Sequence, residues 1–219
     1  MTKASKYIAF CLILWLTSCA GVARINLNAS DGKFLNGIYV DPNIEIPKEF
    51  TQGNLAGNSA VAGAGLPGVL IATILQGFDD VQASKFSMQK VIFDNKIRID
   101  QILNDQVQDY AKGHPSILLT DKDHAVSVLK LSVTRYGVSK SNPVGSAQHV
   151  MLQVNAKLED LSGRIVWQDT SFVSGSSGDN DGGQSLETFS TDPTTLINAL
   201  TYASHVVVAK LGDSLSKSH

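Results

Sequence analysis

Only two cysteines occur among the 219 residues, and both, Cys11 and Cys19, lie at the N-terminal end. The chain beyond residue 19 therefore contains no thiol, which excludes disulfides, thiolate metal sites, cysteine nucleophiles and dithiol redox chemistry there. A surplus of positive charge is also missing. Residues 1–18 carry two lysines and no acid, so the remaining 201 residues hold 16 basic and 20 acidic side chains, a net charge of −4. Nucleic-acid binding, which needs cations to displace the counterions of the phosphates, is disfavoured on that balance. No apolar run reaches the ~20 residues of a membrane-spanning helix. The longest, Ala60 to Leu75, has 16 residues and contains Pro67.

Catalytic signatures are absent as well. The five histidines, His114, His124, His149, His205 and His219, form no i, i+4 pair and no His-Glu-x-x-His, so packing explains them better than zinc ligation. There is no Gly-x-Ser-x-Gly elbow and no phosphate-binding P-loop, and Gly63 to Gly68 fits a dinucleotide fingerprint in glycine spacing alone, with Pro67 inside it. Asp179-Asn180-Asp181-Gly182 has part of a calcium-loop pattern. Aligning Gly182 with the invariant glycine puts Ser177 and Thr188 where acidic ligands belong, so the stretch reads as a solvated loop. The sequence thus assigns no catalytic residue, no metal ligand and no cofactor, and a non-enzymatic protein is the expectation.

What is present begins at the N-terminus. Lys3 and Lys6 precede a ten-residue apolar core, Tyr7 to Leu16, which ends in the small residues Thr17 and Ser18. Ten apolar residues behind two lysines make a secretory signal over 1–18. The tetrapeptide Leu16-Thr17-Ser18-Cys19 that closes it resembles the lipobox of Gram-negative bacterial envelope lipoproteins. The resemblance implies a diacylglycerol on the Cys19 sulfur, cleavage before Cys19 and acylation of the freed amine by a fatty acid such as palmitate. Two or three acyl chains anchor a protein stably where one does not, so Cys19 is the candidate lipidation site and the membrane the expected partner. Ala20 follows in place of the aspartate that retains such proteins in the inner membrane of enteric bacteria. That favours the periplasmic side of the cell outer membrane.

Residues 19–33 are small and polar and read as a short tether to a single folded unit over 34–219. A strand is expected over Phe34 to Val40, then an extended or edge segment bracketed by Pro42 and Pro47, since proline donates no ladder hydrogen bond. Phe50 to Phe78 holds 29 uncharged residues with six glycines and five alanines. It reads as a Gly-rich loop running into a core helix from about Leu66, and as the best candidate for a hydrophobic contact surface. Helical pattern continues over Asp79 to Phe93, and a second helix starts near Asp100, a possible cap, and stops at Gly113. From Ser116 the period changes to two. Strands are expected over Ser116 to Thr120 and Ala125 to Val138, then a hairpin over 147–174 in which Val150, Leu152, Val154, Ala156 and Leu158 share one face. Trp167 shares a face with Ile165 and Val173 but also with Asp169 and Ser171, so the buried side there stays open. A polar loop, Gly175 to Ser185, leads to the clearest helix: Asp192 as cap, Pro193 at its first position, and an apolar stripe from Leu196 to Leu215.

Grouped strands with flanking helices argue for the α+β class, a mainly antiparallel sheet with helices packed on one face. The block Val126 to Tyr136, followed by Leu158 to Trp167, resembles the sheet region of small periplasmic lipoproteins, including auxiliary lipoproteins of ABC-type transport systems. That resemblance implies a lipid-anchored adaptor or accessory subunit of an envelope assembly or transport system, with an envelope protein as partner. The alternative is a periplasmic module that binds lipid or glycan in an apolar cavity framed by sheet and helices.

Overall fold

The computed structural model describes residues 23–54, 88–140, 146–175, 177–178 and 183–217. A 3-10 helix, Ala29–Leu35, leads into β1 (Asn36–Val40) and β2 (Thr51–Asn54); residues 88–94 are helical and precede α1 (Ile99–Lys112). Then follow β3 (Leu118–Leu119), a 3-10 turn at Lys122–His124, β4 (Ser127–Lys140), β5 (Gln148–Asp160), β6 (Ile165–Val173), α2 (Leu186–Thr191) and α3 (Pro193–Ser216). The class is α+β. The expected strand at Phe34 begins two residues later, because Phe34 and Leu35 close the 3-10 helix.

The strands form one six-stranded sheet in the order β3-β1-β4-β5-β6, with β2 also paired to β4. Antiparallel ladders join β4 to β5 and β5 to β6, whereas β1 and β2 run parallel to β4, and β1 parallel to β3. The sheet is therefore mixed rather than antiparallel throughout. Since β5 occupies the other edge of β4 along its whole length, β1 and β2 must share the remaining one. They form a single interrupted strand, with Glu45 bridging to Ser132 between them. Pro42 and Pro47 sit in the interruptions, where no N–H is needed.

Alternation decides the faces. Leu129, Leu131 and Val133 of β4 are buried beside Leu158, Ala156 and Val154 of β5. Strict alternation would next bring Arg135 inward. The register shifts between Val133 and Arg135 instead, so Thr134 forms a bulge that keeps Arg135 on the outer face and returns Tyr136 and Val138 to the core. The same register settles β6. Trp167 pairs with Leu158, Asp169 with Ala156 and Val173 with Leu152, so the Trp167 face meets the core, Asp169 included.

α1 and α3 pack against each other, and α3 covers β5 and β6. Its stripe Leu196, Leu200, Ala203, Val207, Leu211 and Leu215 is buried throughout. Burying each Leu or Val is worth ~1.5–3 kcal/mol, so this stripe is what holds the helix layer on the sheet. Asp192 caps α3 by accepting from the Thr194 N–H at 2.9 Å, and Pro193 takes the first turn. Asp100 does not cap α1: the residue before that helix is Arg98, whose guanidinium binds the Asp100 carboxylate from outside. α2 falls between the expected loop and α3, capped by the Ser185 hydroxyl accepting from the Thr188 N–H at 3.0 Å.

Candidate functional site

The chain ahead of the sheet is built into it. Ile25 forms a two-way antiparallel bridge with Gln168 of β6, both N–H···O distances being 2.9 Å, and the Gln168 side chain donates to the Ala23 carbonyl at 2.8 Å. Leu27 is buried in the core. Arg24 lies 3.4 Å from Asp169 and donates to the Ser214 hydroxyl at 2.9 Å, while that hydroxyl donates to Asp169. One three-residue lock thus joins the N-terminal segment, β6 and the last turn of α3. Within the expected tether, 19–33, Ala23, Ile25 and Asp31 are bonded to β6 and to the β5–β6 turn.

The same edge carries a second clamp at the β5–β6 turn. Asp160 accepts from the Ser162 and Arg164 N–H groups at 2.9 and 3.0 Å and from the Arg164 guanidinium at 3.0 Å. The Ser162 hydroxyl and Arg164 hold its carboxyl well below the usual range. Arg164 also reaches the buried Asp31 at 3.4 Å and lies over the Phe34 ring. Ser214 thus lies between a carboxylate that accepts from its hydroxyl and a guanidinium that donates to it.

Between α1, α3 and the sheet lies an apolar cavity of about 40 Å³, lined by Leu129, Ala156 and Trp167 below and by Val107, Tyr110, Val208 and Leu211 above. Its shape follows from Gly212: a Cβ there would stand 2.1 Å from Tyr110 Cε1, so only glycine lets the Tyr110 ring lie across α3. The Tyr110 hydroxyl donates to Asp213 at 2.9 Å, and burial together with that carboxylate pushes its pKa up to about 12. The Trp167 indole N–H is buried without a partner among the described residues. Water needs ~10–15 Å³ and two or more polar partners, so the space is large enough for water but too apolar to hold it. Ligand pockets for drug-sized molecules run to ~300–1,000 Å³, far above this volume.

The residues singled out in the sequence are dispersed. His114 stacks on Tyr110 with ring centroids 3.8 Å apart, His124 binds Asp121 at 2.7 Å, and His149 packs beneath Gly183. Among the described residues no group of three or more His, Cys, Asp or Glu side chains could hold a metal ion, and no helix is long and apolar enough to cross a membrane. Cys19, the segment 60–75 and the Asp179 to Gly182 loop lie outside the described residues. No spacing in the sequence links the lock residues Arg24, Asp169 and Ser214; the local signal is an acid on the apolar face of β6.

No family model matches the sequence, and no curated protein matches it. Solved structures resembling the fold include a Xanthomonas campestris protein of the DUF330 family model, at 20% identity and a TM-score of 0.38. That match covers 52% of this chain, which spans 58% of the Xanthomonas protein. A PelC dodecamer from Paraburkholderia phytofirmans matches over 90% of this chain and 98% of its own, at 13% identity and a TM-score of 0.36. A minor lipoprotein from Acinetobacter baumannii matches over 53% and 84%, at 15% identity and 0.34. Similarity at this level assigns the chain neither a family nor an activity.

Proposed function

We propose that the chain is a lipid-anchored lipoprotein of the bacterial outer membrane that acts without catalysis, as an adaptor or accessory subunit of an envelope assembly or transport system. The observation that carries this reading is the lipobox-like Leu16-Thr17-Ser18-Cys19 behind a ten-residue apolar core. Supporting it, the fold begins within four residues of Cys19, where Ala23 and Ile25 are bonded to β6. An anchor so coupled positions a domain rather than merely retaining it.

Cys19→Ala tests the anchor. The variant is expected to fold and to leave the membrane fraction, and mass spectrometry of the native N-terminal peptide to show diacylglycerol and fatty acid on Cys19. A variant that stays with the membrane would move the anchor elsewhere, with Ala60 to Leu75 as the first suspect. For the adaptor role, cross-linking in intact cells should join the anchored domain reproducibly to one envelope protein; cross-links no denser than those of an unrelated lipoprotein would remove that role. The lipid- or glycan-binding alternative draws on a small apolar cavity of about 40 Å³. A copurifying lipid in native mass spectrometry of the Cys19→Ala protein would support it.

A further inference from the structure

We propose that the sheet edge carrying residues 23–28 faces the bilayer, so that the domain stands on its β6 edge with β3 and the Lys122–His124 turn pointing away from the lipid. This rests on lipidation at Cys19 and adds an orientation to it. Three residues lie between Cys19 and Ala23, and four Cα-to-Cα steps of ~3.3–3.6 Å give a backbone reach of at most ~14 Å. Ala23 is tied to Gln168, so the Cys19 backbone must lie within that distance of the outer edge of β6. Five strand-to-strand steps separate the N-terminal segment from β3, ~24 Å at ~4.8 Å each. The far edge is therefore beyond the reach of the anchor whenever the near edge is down.

Two other poses place Ala23 near the lipid. With the helices down, the sheet would stand ~15 Å or more above the surface, a helix layer ~10 Å from it plus a helix radius, so the backbone from Cys19 to Ala23 would have to be fully extended to meet it. With the sheet face opposite α1 and α3 down, the lipid would meet Lys157 and the Lys130–Glu159 ion pair, whose side chains would lose water. At the β6 edge the ion pairs leave the Arg24 and Arg164 side chains more than half exposed, so these cations can face lipid phosphates without leaving water. Asp31, Asp160 and Asp169 are each bonded to Arg164 or Arg24, and the exposed Lys33 balances the third carboxylate. Asn26, Asn28 and Ser30 are exposed and uncharged there.

The absence of any thiol beyond Cys19 makes the test direct. Single variants Asn26→Cys, Thr134→Cys and Lys122→Cys of the full chain, processed and purified with lipid, are labelled with an environment-sensitive fluorophore. They are then reconstituted into vesicles of phosphatidylethanolamine and phosphatidylglycerol containing a headgroup-nitroxide lipid. The probe at 26 is expected to lose fluorescence to the nitroxide, and those at 134 and 122 to keep it. A Gly-Ser spacer of ~20 residues between Gly21 and Val22, spanning ~25 Å as a coil, should restore the signal at 26. Equal quenching at all three sites, or quenching at 26 that survives the spacer, overturns the orientation. Flotation separates this from the underlying reading: a chain that does not float with the vesicles was never anchored, and both ideas fall; a chain that floats without site-dependent quenching removes the orientation alone.

Discussion

Gly137→Ala should detach β2 from the sheet. Gly137 pairs with Thr51 across the parallel β2–β4 ladder, and a Cβ built on it would stand 1.7 Å from the Thr51 carbonyl oxygen and 2.6 Å from its carbonyl carbon. The neighbour is backbone, so no rotamer relieves the clash. Restoring a contact of more than ~3 Å requires β2 to retreat by over ~1 Å, enough to lengthen hydrogen bonds of ~2.9 Å past their useful range. Losing two or three of them costs roughly 2–3 kcal/mol at ~1 kcal/mol each. Phe50, buried just before β2 with its ring edge against Tyr136 at 5.6 Å, is then partly exposed, for ~1–2 kcal/mol more. The expected destabilisation is about 4 kcal/mol. Urea unfolding of the Cys19→Ala protein measures it through Trp167, the one tryptophan beyond residue 18 and a buried one. Gly178→Ala, where a Cβ meets nothing within 4 Å, serves as the control and should stay within ~0.5 kcal/mol. A loss below ~1 kcal/mol for Gly137→Ala would refute the close approach of β2 to β4.

Other perturbations follow from single bonds. Asp192→Ala removes the acceptor for the Thr194 N–H and the Thr195 hydroxyl and should cost ~1 kcal/mol in the same assay, with Asp192→Asn recovering most of it; equal losses would mean that the cap contributes nothing. Asp160, held low by the Ser162 hydroxyl and by Arg164, contributes stability that is present above the unfolded value of ~3.9 and is lost as pH falls toward its lower folded value. Unfolding measured from neutral to acid pH should therefore decline less in Asp160→Asn than in the parent, and superimposable profiles would contradict that. Release of Cys19→Ala from the membrane fraction is the fourth expectation.

How much was legible depended on whether the cause was local. The α3 stripe, its Asp192-Pro193 start and the alternation over 150–158 are spacings within one element, and the structure places each as expected. The pairing of β1 and β2 with β4 was not legible, because parallel pairing depends on which distant strand is adjacent and leaves no mark in either segment. Arg135 would have pointed inward by alternation, and only the β4–β5 register shows that Thr134 bulges. Asp169 looked like an exception on an apolar face; its explanation sits 45 residues away at Ser214 and 145 away at Arg24. Residues 23–33 present the same difficulty. They are small and polar, and such composition describes both a free spacer and an edge segment whose bonds are made by its backbone.

The N-terminal segment bonded to β6 also has a mechanical meaning. Tension applied from the N-terminal side enters the fold through Ile25 and Gln168 and through the Arg24–Asp169–Ser214 lock, at one margin of the sheet and at the last turn of α3. The first bonds to bear load are thus a single bridge and a cluster partly open to water, while the Trp167 and Leu158 layer behind them is unstrained. Under a rising pull, the segment ahead of the 3-10 helix should peel away at low force and lengthen the leash before the core yields, making this margin a mechanical fuse.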